Sequence, residues 1–331
     1  MWFRSIWFIA TAFGIILAAA PQILWVAGAI VGKIARFRVP YAPFGWASLA
    51  LVLILWACLA YGNLVGRWQL RVTELTFESA DVPAAFDGYR IAQISDLHVD
   101  TYDDNPEALD RIVDRLLSLG TDVILFTGDM QTNDMDAVSR HADALKRLHA
   151  PDGVLSVLGN HDFFIHVPKY RTADEKCAAA DSLERLENSL GWKVLRNANM
   201  ILRRGADSLA IAGIDNINGN QGFRTIQKGD LPKALSGTGG LFTVLMSHDP
   251  SYWKSAVLPQ SDVQITLSGH THAAQMRFFG ITPSKLVFDE CDGRYDNGGR
   301  MLYVNAGLGC TNPFRIACPS EITVITLKTK R

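Results

Sequence analysis

Hydrophobic positions divide this chain into two parts. Ser5–Gly32 and Val39–Gly66 contain no charged residue, and each exceeds the about 20 residues a helix needs to cross a hydrocarbon core. Both are apolar all round, so neither reads as an amphipathic surface helix. Trp2, Trp7, Trp25, Trp46, Trp56, Tyr41 and Tyr61 fall mostly toward the ends of these stretches, as aromatic residues do at membrane interfaces. Ala18-Ala19-Ala20 imitates a signal-peptide cleavage site, but the apolar run continues beyond it and a second follows. The pattern predicts a two-helix transmembrane hairpin over residues 1–66, with both chain termini on one side. Lys33, Arg36 and Arg38 in the turn balance Arg4, Arg67 and Arg71 on the opposite side, so the positive-inside rule returns no orientation.

From Tyr89 onward, short apolar runs alternate with amphipathic stretches, the signature of an α/β domain. Ile91–Ile94, Val123–Phe126, Val154–Leu158, Phe242–Met246 and Val263–Leu267 read as buried strands. Asn105-Pro106 supplies a helix N-cap and a proline at the first helical position, and Leu109, Ile112, Val113, Leu116 and Leu117 line one face up to Gly120. Helices are also predicted over Asp136–His149 and Thr172–Leu190, with a strand-rich region after Gly191. Residues 67–84 connect the anchor to a domain over 85–331, and within them Leu70–Phe77 alternates as an edge strand.

Charge adds little. A formal net charge of -1 gives no electrostatic footprint for nucleic acid. The 5 cysteines lack metal-type C-x-x-C spacing; buried inert thiols are the favoured reading, and a disulfide among Cys291, Cys310 and Cys318 is left open.

The strand-like runs are each followed by a polar block: Asp96-Leu97-His98, Gly128-Asp129, Gly159-Asn160-His161-Asp162, Ser247-His248 and Gly269-His270-Thr271-His272. Carboxylate, amide oxygen and imidazole are the ligand types that divalent Mn, Fe or Zn accept. Ligands at the ends of neighbouring strands converge on one crevice. In D-x-H and H-x-H, residues i and i+2 leaving a strand can reach it together. His141 and His149 sit on a surface helix; His166, in the loop after the third block, reads as a solvated loop residue with a substrate contact as the alternative.

These blocks resemble the calcineurin-like metallophosphoesterase superfamily, whose pattern is D-x-H, G-D, G-N-H-[DE], H and G-H-x-H. Gly88-Tyr89-Arg90-Ile91-Ala92-Gln93-Ile94-Ser95-Asp96 and Asn305-Ala306-Gly307-Leu308-Gly309 through Arg315 to Glu321-Ile322 resemble its YkuE/YaeI-like membrane-anchored branch. That resemblance implies a four-layer αββα sandwich following the two-helix anchor, and a centre of two divalent metal ions, either Mn, Fe or Zn. Asp129 is implied as the bridging ligand, with Asp96, His98 and His272 on one metal and Asn160, His248 and His270 on the other. His161 is implied as the proton donor to substrate. Asp162 either holds its imidazole or caps a helix. Arg315 is either a phosphate ligand or an ion-pair partner. Where the branch has G-H-T-H-G-G-Q, this chain has Ala273-Ala274, whose two added methyls would narrow the approach to the metals.

The resemblance implies hydrolysis of a phosphodiester or pyrophosphate at the plasma (inner) membrane, with a lipid-linked substrate such as UDP-2,3-diacylglucosamine as the specific form. A soluble nucleotide or glycerophosphodiester is the alternative, and a non-catalytic scaffold the remote one. The expected partners are the phosphoester substrate and the lipid bilayer, with no nucleic acid.

Overall fold

The computed structural model describes residues 2–217 and 226–330, with side chains from residue 11 onward. Trp2 and Trp7, counted above in the aromatic belt, therefore have side chains outside the described residues. The chain forms two compact units: Met1–Trp68 with Asn312–Ala317, and Gln69–Thr311 with Cys318–Arg331.

The first unit holds helices α1 (Trp2–Ala35) and α2 (Ala42–Leu64). α1 contains a span of 25 residues, Thr11–Ala35, and α2 opens one of 27, Ala42–Trp68, that continues past its last residue; each is long and apolar enough to cross a membrane. Ile23, Leu24, Trp46, Leu53 and Ile54 are exposed on them, whereas the core helix of a soluble domain would bury such residues. A polar clamp breaks the apolar surface. Gln22 Nε2 donates to Ser48 Oγ at 2.8 Å, and Ser48 Oγ donates to Ala18 O at 2.8 Å. Pro21 lacks the N–H that would serve Leu17 O; one residue further on, the Ser48 hydroxyl of the neighbouring helix adds a donor to Ala18 O, an interhelical bond of the kind spanning helices use. Trp25 and Tyr41 meet edge to face, centroids 5.2 Å apart.

The second unit is built on two six-stranded sheets. The strands are β1 (Leu70–Ser79), β2 (Arg90–Ile94), β3 (Val123–Phe126), β4 (Val154–Ser156), β5 (Lys193–Val194), β6 (Ala198–Arg204), β7 (Asp207–Gly213), β8 (Phe242–Met246), β9 (Ile265–Ser268), β10 (Gly293–Asn297), β11 (Arg300–Val304) and β12 (Ser320–Thr329). Their orders are β1-β12-β2-β3-β4-β5 and β10-β11-β9-β8-β7-β6. In the first sheet β2 to β5 run parallel, and in the second so do β7, β8, β9 and β11. Strands β3, β4, β8 and β9 are buried along their whole length, which is why they read in sequence as unbroken apolar runs.

The sheets pack face to face. Ile91, Val123, Leu125 and Leu155 of one meet Ile211, Val244, Met246, Ile265 and Leu267 of the other in a single core. Gln93 crosses the same interface, its Nε2 donating to Ser268 O at 2.9 Å. Helices α3 (Pro106–Ser118), α4 (Met135–Arg140), α5 (Ala142–Lys146) and α6 (Ala173–Ser189) each bury an apolar face. The mixed two-sheet α/β architecture matches the fold class expected from the sequence.

Several local expectations hold. Leu70–Phe77 lies inside edge strand β1, which pairs parallel with β12; the stretch read as a connecting segment thus supplies a strand of the sheet. Thr172 caps α6 with a full capping box through Glu175. Asn105 is the N-cap of α3 but makes no side-chain cap bond, leaving Pro106 as the local signal. One helix was read too long: Asp136–His149 is broken into α4 and α5. His141 stands at the break, buried rather than solvated, with Nε2 2.9 Å from Asp103 Oδ1. Cys291, Cys310 and Cys318 are buried thiols, as the favoured reading expects.

The inner face of α6 carries an uncommon group. Glu187 is fully buried, accepts a hydrogen bond from Ser156 Oγ at 2.6 Å, and is held well above the usual carboxylate range by burial. Its proton is retained in the folded chain while the unfolded chain loses it near the ordinary value of about 4.5. Above that point the native state holds a proton that the unfolded state has lost, so stability falls with increasing pH. Glu187→Gln is expected to remove this slope: thermal unfolding in detergent should show a higher melting temperature than the parent at pH 8, with the difference vanishing near pH 4. An equal offset at both values would refute a buried neutral carboxyl.

Candidate metal centre

The candidate ligands leave the carboxyl ends of parallel strands. Asp96 and His98 follow β2, Asp129 follows β3, Asn160 follows β4, His248 follows β8, and His270 and His272 follow β9. Open α/β sheets place ligand sites outside these ends, and here both sheets point theirs into one crevice. Three overlapping groups have ligand atoms within 4.8 Å of one another: Asp96, His98 and His272; His98, Asp129 and His161; Asp129, His248 and His270.

Asp129 joins the groups. Its Oδ2 is 3.2 Å from His248 Nε2 and 3.7 Å from His98 Nε2. Its Oδ1 accepts the His161 backbone N–H at 2.9 Å. His272 Nε2 lies 3.3 Å from Asp96 Oδ1 and 3.1 Å from His98 Nε2. On the other side, Asn160 Oδ1 is 2.7 Å from His270 Nδ1 and 3.1 Å from His248 Nε2.

Tautomers follow from the backbone. His248 Nδ1 is 2.8 Å from Thr127 O, and a carbonyl can only accept, so Nδ1 carries the proton. In the neutral ring, Nε2 then turns a lone pair toward Asp129 Oδ2 and Asn160 Oδ1, an arrangement of three acceptors that only a cation or an added proton satisfies. A divalent metal fits this donor set. Burial lowers the His248 imidazole, but the Asp129 carboxylate outweighs it and pushes the ring up to about 10. Burial likewise raises Asp129, but His248, His161 and His98 hold it well below the usual carboxylate range. Asp96, buried and beside Asp129, is pushed up to about 6.

Backbone geometry shows how tightly the crevice is built. Asp96, His98, Asp129, His270 and His272 all have positive φ, from 38° to 72°, a region that costs non-glycine residues about 1–2 kcal/mol. Such outliers concentrate where surrounding structure over-determines them. Gly269 permits the closest approach: a Cβ there would stand 1.9 Å from Ser95 Oγ and 2.1 Å from Asp96 Oδ2.

His161 stands at the edge of the cluster with its Nδ1 2.9 Å from Thr132 O. That carbonyl fixes the proton on Nδ1 and leaves Nε2 as the exchanging nitrogen. The alternative in which Asp162 orients the ring is therefore corrected. Asp162 is fully buried and accepts the backbone N–H groups of Asp129 and Gly159 at 2.8 Å each and of Met130 at 2.9 Å. It clamps the two ligand loops together instead of touching the imidazole; burial and the nearby Asp129 push it up to about 7.

Arg315 belongs to Asn312–Ala317, the segment grouped with the helical hairpin, where its backbone N–H donates to Gly62 O at 3.1 Å and its side chain is fully buried. His166 is exposed with its ring 5.0 Å from that of His161. The expected narrowing by Ala273 is also corrected, because its methyl is buried against Ala306 and Cys318 rather than lining the approach.

Sequence reasoning missed the residues that position the ligands. Thr132 faces two imidazoles, with Oγ1 3.0 Å from His98 Nδ1 and its carbonyl on His161. Asp249 is buried with Oδ2 3.6 Å from His270 Nε2. Asp249 adjoins a ligand in sequence, which was the available signal; Thr132 carried none, because its carbonyl does the positioning.

A sequence profile of the calcineurin-like phosphoesterase family matches residues 89–274. The uncharacterized metallophosphoesterase YkuE of Bacillus subtilis is 34% identical over 281 residues, covering 81% of this chain and 89% of that protein. A transmembrane protein with metallophosphoesterase domain from Danio rerio is 30% identical, covering 84% of this chain and 62% of that protein. The UDP-2,3-diacylglucosamine pyrophosphatase LpxG of Chlamydia trachomatis is 26% identical, covering 84% and 94%. With both sheets and the crevice in hand, the chain belongs to the calcineurin-like phosphoesterase family and is a metal-dependent phosphoric ester hydrolase. Family membership brings divalent metal as cofactor, and the two apolar helices with a transmembrane relative point to membrane association.

Residues His272–Gln275 run at φ of 50°, 50°, 51° and 57°, where glycine would be relaxed. Ala274→Gly is expected to raise the unfolding free energy by about 1 kcal/mol, because relief of the left-handed penalty outweighs the glycine's added chain entropy. Denaturant titration checks it; a loss of stability would show that the alanine methyl packs productively.

Proposed function

We propose that this protein is a membrane-anchored dimetal phosphoesterase that hydrolyses a phosphodiester or pyrophosphate bond. The observation that carries the reading is the Asp129 carboxylate set between imidazoles from both sheets, with Nε2 atoms of His98 and His248 at 3.7 and 3.2 Å. Asp96, His98 and His272 would hold one cation and Asn160, His248 and His270 the other, with Asp129 shared. When bound, two such cations would supply charge neutralisation for the phosphoryl oxygens and lower the pKa of water near them.

The chain's own residues would do the rest. Protonated at Nε2, His161 would give its proton to the leaving oxygen while Thr132 O keeps the ring oriented, the usual economy of a general acid. Asp162 would keep the Asp129 and Asn160 loops at fixed separation through its backbone bonds. Arg315, buried with its backbone N–H on Gly62 O, would be the candidate to pair with a substrate phosphate.

A lipid-linked substrate is favoured by the two apolar helices, since confinement to a bilayer raises effective concentration at the headgroup. UDP-2,3-diacylglucosamine is the specific candidate, supported by the LpxG relatives at modest identity. A soluble nucleotide or glycerophosphodiester is the competing candidate. Full-length protein in micelles, assayed against lipid-linked and soluble diesters, discriminates between them: preference for the soluble compounds would overturn the lipid reading.

Asp129→Ala is expected to abolish turnover and remove most bound metal, as measured by elemental analysis. His161→Ala should lower turnover by about 10²-fold or more while metal content stays; loss of metal there would mean that His161 is a ligand. Both termini are proposed to lie on one side of a plasma membrane, since two spans return the chain to its starting side. Reporter fusions at Met1 and Arg331 giving opposite locations would refute the hairpin.

A further inference from the structure

Beyond the H-x-H ligand loop the chain runs into a segment with an unusual surface. Phe278, Phe279, Ile281, Leu286 and Val287 are all exposed, Phe279 at 106% and Leu286 at 89%. Soluble domains scatter such residues singly, and a contiguous cluster marks an interaction surface. The tip is a two-residue hairpin. Phe278 N–H donates to Ile281 O at 2.8 Å and Ile281 N–H to Phe278 O at 2.9 Å, with Phe279 and Gly280 both at positive φ, 51° and 81°. Asn-Gly is the usual occupant of such a turn; here the first position holds a phenylalanine in a costly conformation with its ring in solvent. Strain of that kind persists where function requires it.

This tip is strapped to the candidate metal centre. Thr282 Oγ1 donates to Ala273 O at 2.5 Å, and Thr271 Oγ1 to Cys291 O at 2.6 Å. Phe288 sets its ring edge to face on His270, centroids 5.6 Å apart. Between Met276 and Phe288 the charged residues are Arg277 and Lys285, with no carboxylate. Arg277 is paired with Asp292, and Lys285 is exposed next to Leu286.

We propose that the Phe278–Val287 segment is a lipid-contacting wedge, seated in the interface of a bilayer beside the metal centre. The occupant is lipid rather than a second copy of the chain because the same polypeptide carries two helices apolar enough to cross a membrane, which keeps a bilayer at high local concentration. Aromatic and aliphatic tips with an adjacent lysine are the composition that enters the headgroup boundary and meets anionic lipid. The wedge rests on the reading of the hairpin as a membrane anchor. It would hold the ligand loop at headgroup depth, where the phosphate of a lipid-linked substrate lies.

The test uses the full-length chain in vesicles of phosphatidylcholine and phosphatidylglycerol whose acyl chains carry an alkyne. A photo-crosslinker is placed by Phe279→p-benzoylphenylalanine or Leu286→p-benzoylphenylalanine, and in separate chains at Ile54 on α2 and at Ile201 on β6. Lipid adducts at 279 and 286 are expected at about ten times the yield at 201 or more, since interfacial segments reach about 5–10 Å into the boundary. Adducts at 54 but none above the level of 201 at 279 and 286 would overturn the wedge and leave the anchor standing. Adducts at 279 without any at 54 would support the wedge and overturn the anchor. Protein-to-protein adducts at 279 in place of lipid would assign the surface to a second copy and overturn the proposal.

Discussion

A buried carboxylate needs positive charge, and much of this crevice follows from meeting that need at Asp129. The side chain is 1% exposed as a residue and lies between imidazoles contributed by β2 and β8, strands of different sheets. Leaving an anion in such a place uncompensated costs several kcal/mol, so partners must come from both sheets at once. That requirement fixes the relation of the sheets. Their parallel strands must end at the same edge, and the loops leaving them must turn back sharply enough to aim alternate residues inward.

Those turns explain where the backbone departs from ordinary conformations. The candidate ligands Asp96, His98, Asp129, His270 and His272 adopt left-handed φ values, a cost that the milder αL penalty of Asp and His offsets only in part. The compensation is distributed. Asp162 accepts backbone donors from both the Asp129 and Gly159 loops. Ser95 Oγ donates to Asp96 Oδ2 at 2.5 Å, and His270 N–H reaches the same carboxylate at 3.0 Å. Removing either clamp would let a loop relax toward an allowed region and withdraw its ligand from the cluster. Stability and chemistry are therefore supported by the same hydrogen bonds.

Much of this was legible in the chain. Parallel strands buried on both faces announce themselves as continuous apolar runs, as β3 and β8 do, and the polar blocks after them named the side chains that the fold brings together in one crevice. What sequence could not convey was which atom holds which. Asp162 follows His161 directly, an adjacency that suggests a side-chain pair, yet the turn sends its carboxylate to backbone donors and leaves the imidazole to Thr132 O. Main-chain carbonyls have no sequence signature. The break at His141 was hidden for a related reason: helical periodicity persists from α4 into α5, while the contact from the His141 ring to Asp103 joins residues far apart in the chain.

The Ala273-Ala274 pair shows how one departure from a family pattern redistributes cost. A glycine pair would relieve two of the four successive left-handed residues, but the Ala273 methyl closes a small core with Ala306 and Cys318, so the penalty at that position is partly offset by packing. Thr282 bonds to the carbonyl of that same residue, which ties the strained turn to the exposed apolar tip. Thr271, on the same loop, donates to Cys291 O, so hydrogen bonds from both sides of the strained turn hold the loop that carries His270 and His272.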